Sequence, residues 1–383
     1  MAPTKIGILG CGVISGIYIE TAQKHAAIEC AAVADVNPAA ARHRADQYGI
    51  ARALTPEELL ADPAVEVVVN LTPNRLHGAV GLRILEAGKH LYSEKPLAVY
   101  REESQRLLAA ASSAGLRVGN APDTFMGGAW QTARKAIDDG LIGRPFAACA
   151  AFHGRRSSAI SEGPRRETAP TRSTAPGTTS FFATEAFKYG VTVAFDMGPY
   201  YLHALINLLG PAARVSGATK KVFDEALRFG SRLPVEAPTH VTGLIELANG
   251  AVCQLLVSSD VYGTGLPHLE VYGTEGSLRC PDPNAFPGPV YLRRPGSAEL
   301  VELECRHGYN QDSRGIGVAD MAVAVRNGRP HRASGEMGAH VVDILNALHE
   351  SADQGRRIEL STTCPRPAPL PTGVPDWEIA EPS

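Results

Sequence analysis

Paired cysteines, an excess of charge of either sign and any long unbroken apolar run are all missing from this chain of 383 residues. The formal net charge is −3 and the charged fraction 20%. That balance leaves no basic stripe for nucleic-acid phosphates and no acidic solvating tail, and points to a neutral or small-molecule partner. The cysteines (Cys11, Cys30, Cys149, Cys253, Cys280, Cys305 and Cys364) are scattered without a C-x-x-C pair, which argues against zinc or a redox dithiol. Their odd number fits free thiols in a reducing compartment. No segment approaches the roughly 18 apolar residues of a membrane span, and no internal repeat is found. The chain is therefore expected to be cytoplasmic, without a metal, a membrane contact or a nucleic-acid partner.

One segment imitates an export signal, because Lys5 precedes the apolar residues 6–19. Gly10, Gly12 and Gly16 interrupt it. A helical apolar region tolerates glycine poorly, whereas a strand, tight turn and helix in succession require it.

At this length, with 44% hydrophobic residues, two domains can each bury a core. Residues 5–9 read as a strand, 10–16 as a glycine turn and 17–24 as a helix. Strands at 28–34, 65–71, 90–93 and 117–119 alternate with helices at 38–48, 56–61, 76–87 and 102–114. The segment Val65-Glu66-Val67-Val68-Val69-Asn70-Leu71 is nearly all β-branched, as in a parallel strand covered on both faces. This alternation predicts an α/β fold: an N-terminal Rossmann-type, doubly wound parallel sheet over residues 1–122. Residues 123–363 change character, with a helix at 129–139, then strands at 146–152, 239–246, 251–258, 268–272, 277–280 and 290–293. They predict a C-terminal α+β domain with a large, mostly antiparallel open sheet, one face of which is free for a homodimer or homotetramer contact. Residues 154–180 read as a long Arg-rich mobile loop, and 364–383 as an extended Pro-rich tail.

The glycine turn is a dinucleotide fingerprint. Gly10 permits the tight turn, Gly12 lets a pyrophosphate approach the backbone, and Ser15 is small enough for close helix–strand packing. Val13 and Ile14 lead into the helix, whose first N–H groups face the phosphates. Asp35 ends the second strand twenty residues after Ser15, where a carboxylate accepts the ribose hydroxyls and repels a 2′-phosphate. The cofactor is expected to be NAD, with NADP the lesser alternative that Arg42 and Arg44 leave open.

Lys95 lies in Leu91-Tyr92-Ser93-Glu94-Lys95-Pro96, where the proline turns the chain and presents a side chain. Asp196, Tyr200 and His203 are spaced to share one helix face, in a helix read as starting at 195 with Pro199 in its first turn. Alcohol oxidation needs a base within reach of the hydroxyl. Tyr200 qualifies if the Lys95 ammonium lowers its pKa; His203 is the rival base or a substrate contact. Asp123, His153 and Arg156 could line a pocket, although structural roles are the simpler reading. His307, Tyr309 and Arg314 lie in a glycine-containing loop before a further helix; they could also line a pocket, but stay outside the predicted site.

In combination, Gly10-Cys11-Gly12, Asn70-Leu71-Thr72-Pro73-Asn74 with His77, Glu94-Lys95-Pro96 and Asp196-x-Gly198-x-Tyr200 resemble the glucose-fructose oxidoreductase, inositol dehydrogenase and rhizopine-catabolism (Gfo/Idh/MocA) family over nearly the whole chain. The resemblance implies a bound NAD(P), an active site between the domains and a C-terminal sheet used in oligomerisation. It also implies substrate contact by Lys95, a cofactor-side loop of Thr72, Pro73, Asn74 and His77 with Glu94 beside it, and a catalytic Asp196. The family more often carries histidine where this chain has Tyr200, and Asp or Asn where it has His203. The function so implied is NAD-dependent hydride transfer with a secondary alcohol of a sugar, glycoside or cyclitol. Its rivals are an NAD-retaining glycosidase acting by transient oxidation and elimination, and a non-catalytic NAD-binding sensor.

Overall fold

The computed structural model describes residues 2–154, 185–228 and 231–379; beyond Gly154, the Arg-rich loop, Arg156 included, lies outside them. The N-terminal part runs β1 (Thr4–Leu9), α1 (Ser15–Lys24), β2 (Ile28–Ala34), α2 (Pro38–Tyr48), β3 (Ala53–Leu54), α3 (Pro56–Ala61), β4 (Val67–Asn70), α4 (His77–Glu86), β5 (His90–Ser93), α5 (Arg101–Ala114) and β6 (Val118–Asn120). Its six strands are parallel, in the order β3-β2-β1-β4-β5-β6. The order reverses between β1 and β4, which opens a crevice at their carboxyl ends. Every residue of β4 is buried, as helices on both faces demand. The strand is shorter than its apolar run, because Glu66 is exposed and accepts the Lys5 N–H. Local signals set the helix starts: Asn37 caps α2, and Thr55 with Glu58 forms a capping box on α3.

The second part contains α6 (Gly128–Asp138), β7 (Pro145–His153), α7 (Val193–Leu209), β8 (Ala212–Lys220), β9 (Glu225–Arg228), β10 (Ser231–Pro234), β11 (His240–Leu247), β12 (Val252–Ser258), β13 (Leu269–Gly273), β14 (Gly276–Cys280), β15 (Tyr291–Arg293), β16 (Val301–Glu302), α8 (Ile316–Asn327), α9 (Gly335–Gln354) and β17 (Ile358–Glu359). Nine strands form one sheet, β16-β15-β14-β13-β7-β12-β11-β8-β17, antiparallel except where β7 meets β12. Helices α7 and α9 cover one face. A Cβ on Gly217 or Gly243 would collide with Leu348 of α9, so glycine there lets helix and sheet approach closely. The opposite face leaves Leu244 and Val252 exposed.

Two features differ from expectation. Helix α7 starts at Val193, so Pro199 falls in its interior rather than its first turn. The proline cannot return an N–H to the Phe195 carbonyl, and the helix persists because all its residues are buried. The Pro-rich tail is not simply laid over the surface. Cys364 and Leu370 are buried, and Arg134, Arg332 and Gln131 bond its backbone. Helices α8 and α9 also pack back on β6 and α5. Arg101 on α5 reaches Asp343 and Glu350 of α9 across this seam.

Candidate active site

The crevice between β1 and β4 is shaped by its glycines. Gly10 has φ +108°, and a Cβ there would sit 2.7 Å from the Leu71 backbone, so only glycine fits. A Cβ on Gly12 would meet nothing within 4 Å; this is the open side of the turn. Ser15 is fully buried and donates to the Gly12 carbonyl at 2.7 Å. Gly16 meets the Tyr48 hydroxyl, which would lie 2.5 Å from an added Cβ, and so shares the close-packing role given to Ser15. No side chain caps the N-terminus of α1. Val13, partly exposed, and Ile14 lead into that open end. Asp35 accepts N–H bonds from Cys11 and Asn37, both at 2.8 Å, which fixes its carboxylate beside the turn. Arg44 is buried and donates to the Gly12 carbonyl at 3.0 Å, while Arg42 is exposed. An uncapped helix end, an uncrowded glycine and a fixed carboxylate fit the pyrophosphate and ribose of a dinucleotide. Burial, then Asp35, pushes the Cys11 thiol up to about 12, so it is inert there.

Two loops frame the crevice floor. Thr72 donates to the Asn70 side chain at 2.7 Å, and Asn74 is buried in the turn after Pro73. His77 lies between carbonyls, with Nε2 2.7 Å from Thr72 O and Nδ1 2.6 Å from Pro96 O. It thereby ties the Thr-Pro loop to the Lys-Pro loop; burial lowers its pKa although both carbonyls oppose this. Glu94 turns inward, one oxygen accepting the Tyr18 hydroxyl at 2.8 Å and the other the Lys95 N–H at 2.9 Å.

Lys95 Nζ donates to Asp196 Oδ1 at 2.7 Å and to its main-chain oxygen at 2.8 Å. The two side chains are 12% and 10% exposed, so water screens the pair weakly. Burial opposes the ammonium, but Asp196, then Tyr200 and Glu94, hold its pKa well above the usual lysine range. Tyr200 is buried with Lys95 Nζ 5.2 Å from its ring centre and the Arg314 guanidinium 5.9 Å away. Lys95 favours the phenolate as expected. Burial nevertheless outweighs both cations, and the phenol's pKa is raised rather than lowered.

His203 sits deeper. Its Nδ1 donates to Pro199 O at 2.8 Å, its ring stacks on Phe125, and burial lowers its pKa to about 4. It is a neutral imidazole in the core, whereas Asp196 and Tyr200 are the members of the face that meet Lys95. Asp123 is also buried and accepts N–H bonds from Gly315 (2.8 Å) and Gly317 (2.9 Å), with burial raising its pKa to about 6. His153 stacks on His268, which meets the Tyr201 hydroxyl at 3.0 Å. Tyr18 and Arg314, both outside the predicted site, touch Glu94 and Tyr200. The glycine-containing loop before α8 was the only signal for Arg314.

Residues 4–121 match the family description "Oxidoreductase family, NAD-binding Rossmann fold", and residues 130–279 match the "GFO/IDH/MocA C-terminal domain". A 1,5-anhydro-D-fructose reductase of Ensifer adhaerens is 33% identical over 143 residues, 37% of this chain and 43% of that protein. An inositol 2-dehydrogenase/D-chiro-inositol 3-dehydrogenase of Lactiplantibacillus plantarum is 35% identical over 154 residues, 37% of this chain and 42% of that protein. The chain thus aligns with less than half the length of either relative. A levoglucosan dehydrogenase solved with NADH and L-sorbose superposes with a TM-score of 0.78 at 21% identity, covering 94% of this chain and 100% of that one, which shows a shared fold.

Proposed function

The chain belongs to the Gfo/Idh/MocA oxidoreductase family, and from that premise we propose that it transfers hydride between NAD and a secondary alcohol or ketone of a sugar, glycoside or cyclitol. The observation that carries this reading is the buried Lys95–Asp196 pair against Tyr200, on the loop that follows β5. The names of the reductase and inositol dehydrogenase relatives support the substrate class. When bound, the nicotinamide supplies the hydride acceptor or donor. Gly12 and the open end of α1 hold the pyrophosphate, and the Asp35 carboxylate favours a free ribose hydroxyl and hence NAD over NADP. Thr72, Pro73, Asn74 and His77 shape the cofactor side of the crevice, and Glu94 holds the Lys95 backbone.

Lys95 directs its ammonium at the substrate oxygen, with Asp196 holding it there. Tyr200 takes or returns the hydroxyl proton. Lys95 and Tyr200 both have raised pKa values, so at neutral pH the free site presents two proton donors to a carbonyl oxygen. Ketone reduction matches that state directly, and alcohol oxidation should accelerate with pH. The seven free cysteines are in keeping with a reducing, cytoplasmic setting, and the exposed Leu244 and Val252 favour a homo-oligomer through the open sheet. No helix among the described residues is long and apolar enough to cross a membrane. Sugars and polyols screened with NAD and NADP at the nicotinamide absorbance test the proposal; a panel without any cofactor-linked turnover would count against it.

A further inference from the structure

We propose that Arg314 is a positioning residue for Tyr200: its guanidinium fixes the phenol beside Lys95 and shares with that lysine the negative charge that forms on the phenol oxygen during proton transfer. The inference rests on the reading of Tyr200 as the proton-transfer group.

The loop before α8 is built to hold this guanidinium in place. Asp123 accepts the Gly315 and Gly317 N–H groups, and Thr21 donates to the Arg314 carbonyl at 2.7 Å. Gly315 turns the chain at φ +106°, with Tyr18 and Thr21 packed at 3.3 Å from where a Cβ would stand. Arg314 then donates to Asn284 Oδ1 at 2.6 Å and to Asp312 at 2.5 Å, and its guanidinium stands over the Tyr200 ring, 5.9 Å from the ring centre.

The charged groups facing Tyr200 are the cations Lys95 and Arg314 and the anions Glu94 and Asp196. Lys95 is neutralised at 2.7 Å by a carboxylate as buried as itself. The counter-charge of Arg314 is different: the Asp312 side chain is 41% exposed while the arginine is 15% exposed. Water therefore weakens Asp312 more than it weakens Arg314. Lys95 is the larger cationic influence on the phenol and Arg314 the second, and the arginine's planar fork also fixes orientation as a lysine would not.

The test uses the full-length protein labelled with 3-fluorotyrosine, whose phenol is more acidic than that of tyrosine. The Tyr200 fluorine resonance is assigned by its loss in Tyr200→Phe. In Arg314→Met that resonance should titrate about 1–3 pH units higher than in the parent, and Arg314→Lys should fall between. Unchanged NADH affinity and circular dichroism establish that each variant is folded. In NAD-linked polyol oxidation, Arg314→Met should lower kcat by roughly tenfold or more and have no further effect on Tyr200→Phe. An unmoved fluorine titration overturns the inference whatever the substrate proves to be. A moved titration with full turnover in Tyr200→Phe overturns both the inference and the reading it rests on.

Discussion

Asp196→Asn isolates the electrostatics of the site, because it removes one charge and leaves the shape. In the parent, Lys95 Nζ lies 2.7 Å from Oδ1 within a pair whose side chains are 12% and 10% exposed. Burial already opposes the ammonium, and Asp196 is the first of the groups that outweigh it. Leaving one partner of such a pair alone costs about 3–5 kcal/mol. At about 1.4 kcal/mol per unit this is a fall of about 2–4 units in the pKa of Lys95. The sign follows from linkage. The raised lysine pKa contributes stability that is complete below the unfolded lysine value of about 10.4 and is lost as pH rises through the folded value. The variant should therefore melt well below the parent at neutral pH, and the gap should narrow as pH climbs into the alkaline range. Its ketone-reduction rate should acquire an alkaline fall that begins at lower pH than the parent's. Calorimetry at several pH values, with pH–rate profiles alongside, checks both. Equal melting temperatures at neutral pH together with superimposable profiles would refute the reasoning.

Three further outcomes are expected. Asp35→Ser should bring the catalytic efficiencies with NADP and NAD closer together, read as the ratio of kcat/KM values, because the carboxylate that repels a 2′-phosphate is gone; an unchanged ratio would remove Asp35 from cofactor choice. His203→Gln should lower thermal stability yet keep the shape of the pH–rate profile, since the imidazole is buried and bonded to Pro199; a lost basic limb would make His203 the base instead. Burial lowers His25, His203 and His340 to about 4, so their contribution to stability is present above the ordinary histidine value of about 6.5 and is lost as pH falls toward 4. Melts at successive pH values should show that decline, and a flat acid profile would contradict it.

Much of the fold was legible because local chemistry states it. The Gly10–Gly12 turn, the Thr55–Glu58 box and the β-branched Val67–Val69 run each point to their element without help from elsewhere. Strand β3 is two residues long, too short for any periodicity. Strand β8 has weak alternation, and its pairing with β11 and β17 is what places it in the sheet. Helix α9 carries a readable start, in that Ser334 accepts the Met337 N–H, yet what it buries is visible only in three dimensions. At the site, the sequence placed Lys95, Asp196 and Tyr200 in suggestive motifs, and the fold brings them together. Sequence alone gave the right sign for the effect of Lys95 on Tyr200 but not the larger, opposing effect of burial. Arg314 stayed outside the predicted site because its approach to Tyr200 exists only once the loop before α8 has docked.

The central claim is net hydride transfer at Lys95, and the most direct test follows nicotinamide absorbance while a sugar or polyol is oxidised, in the parent and in Lys95→Ala, with NAD affinity measured in both. NADH should accumulate in step with oxidised substrate in the parent, and Lys95→Ala should abolish this while NAD affinity stays nearly unchanged. Turnover that survives in Lys95→Ala, or glycoside cleavage without any accumulation of NADH, would contradict the account.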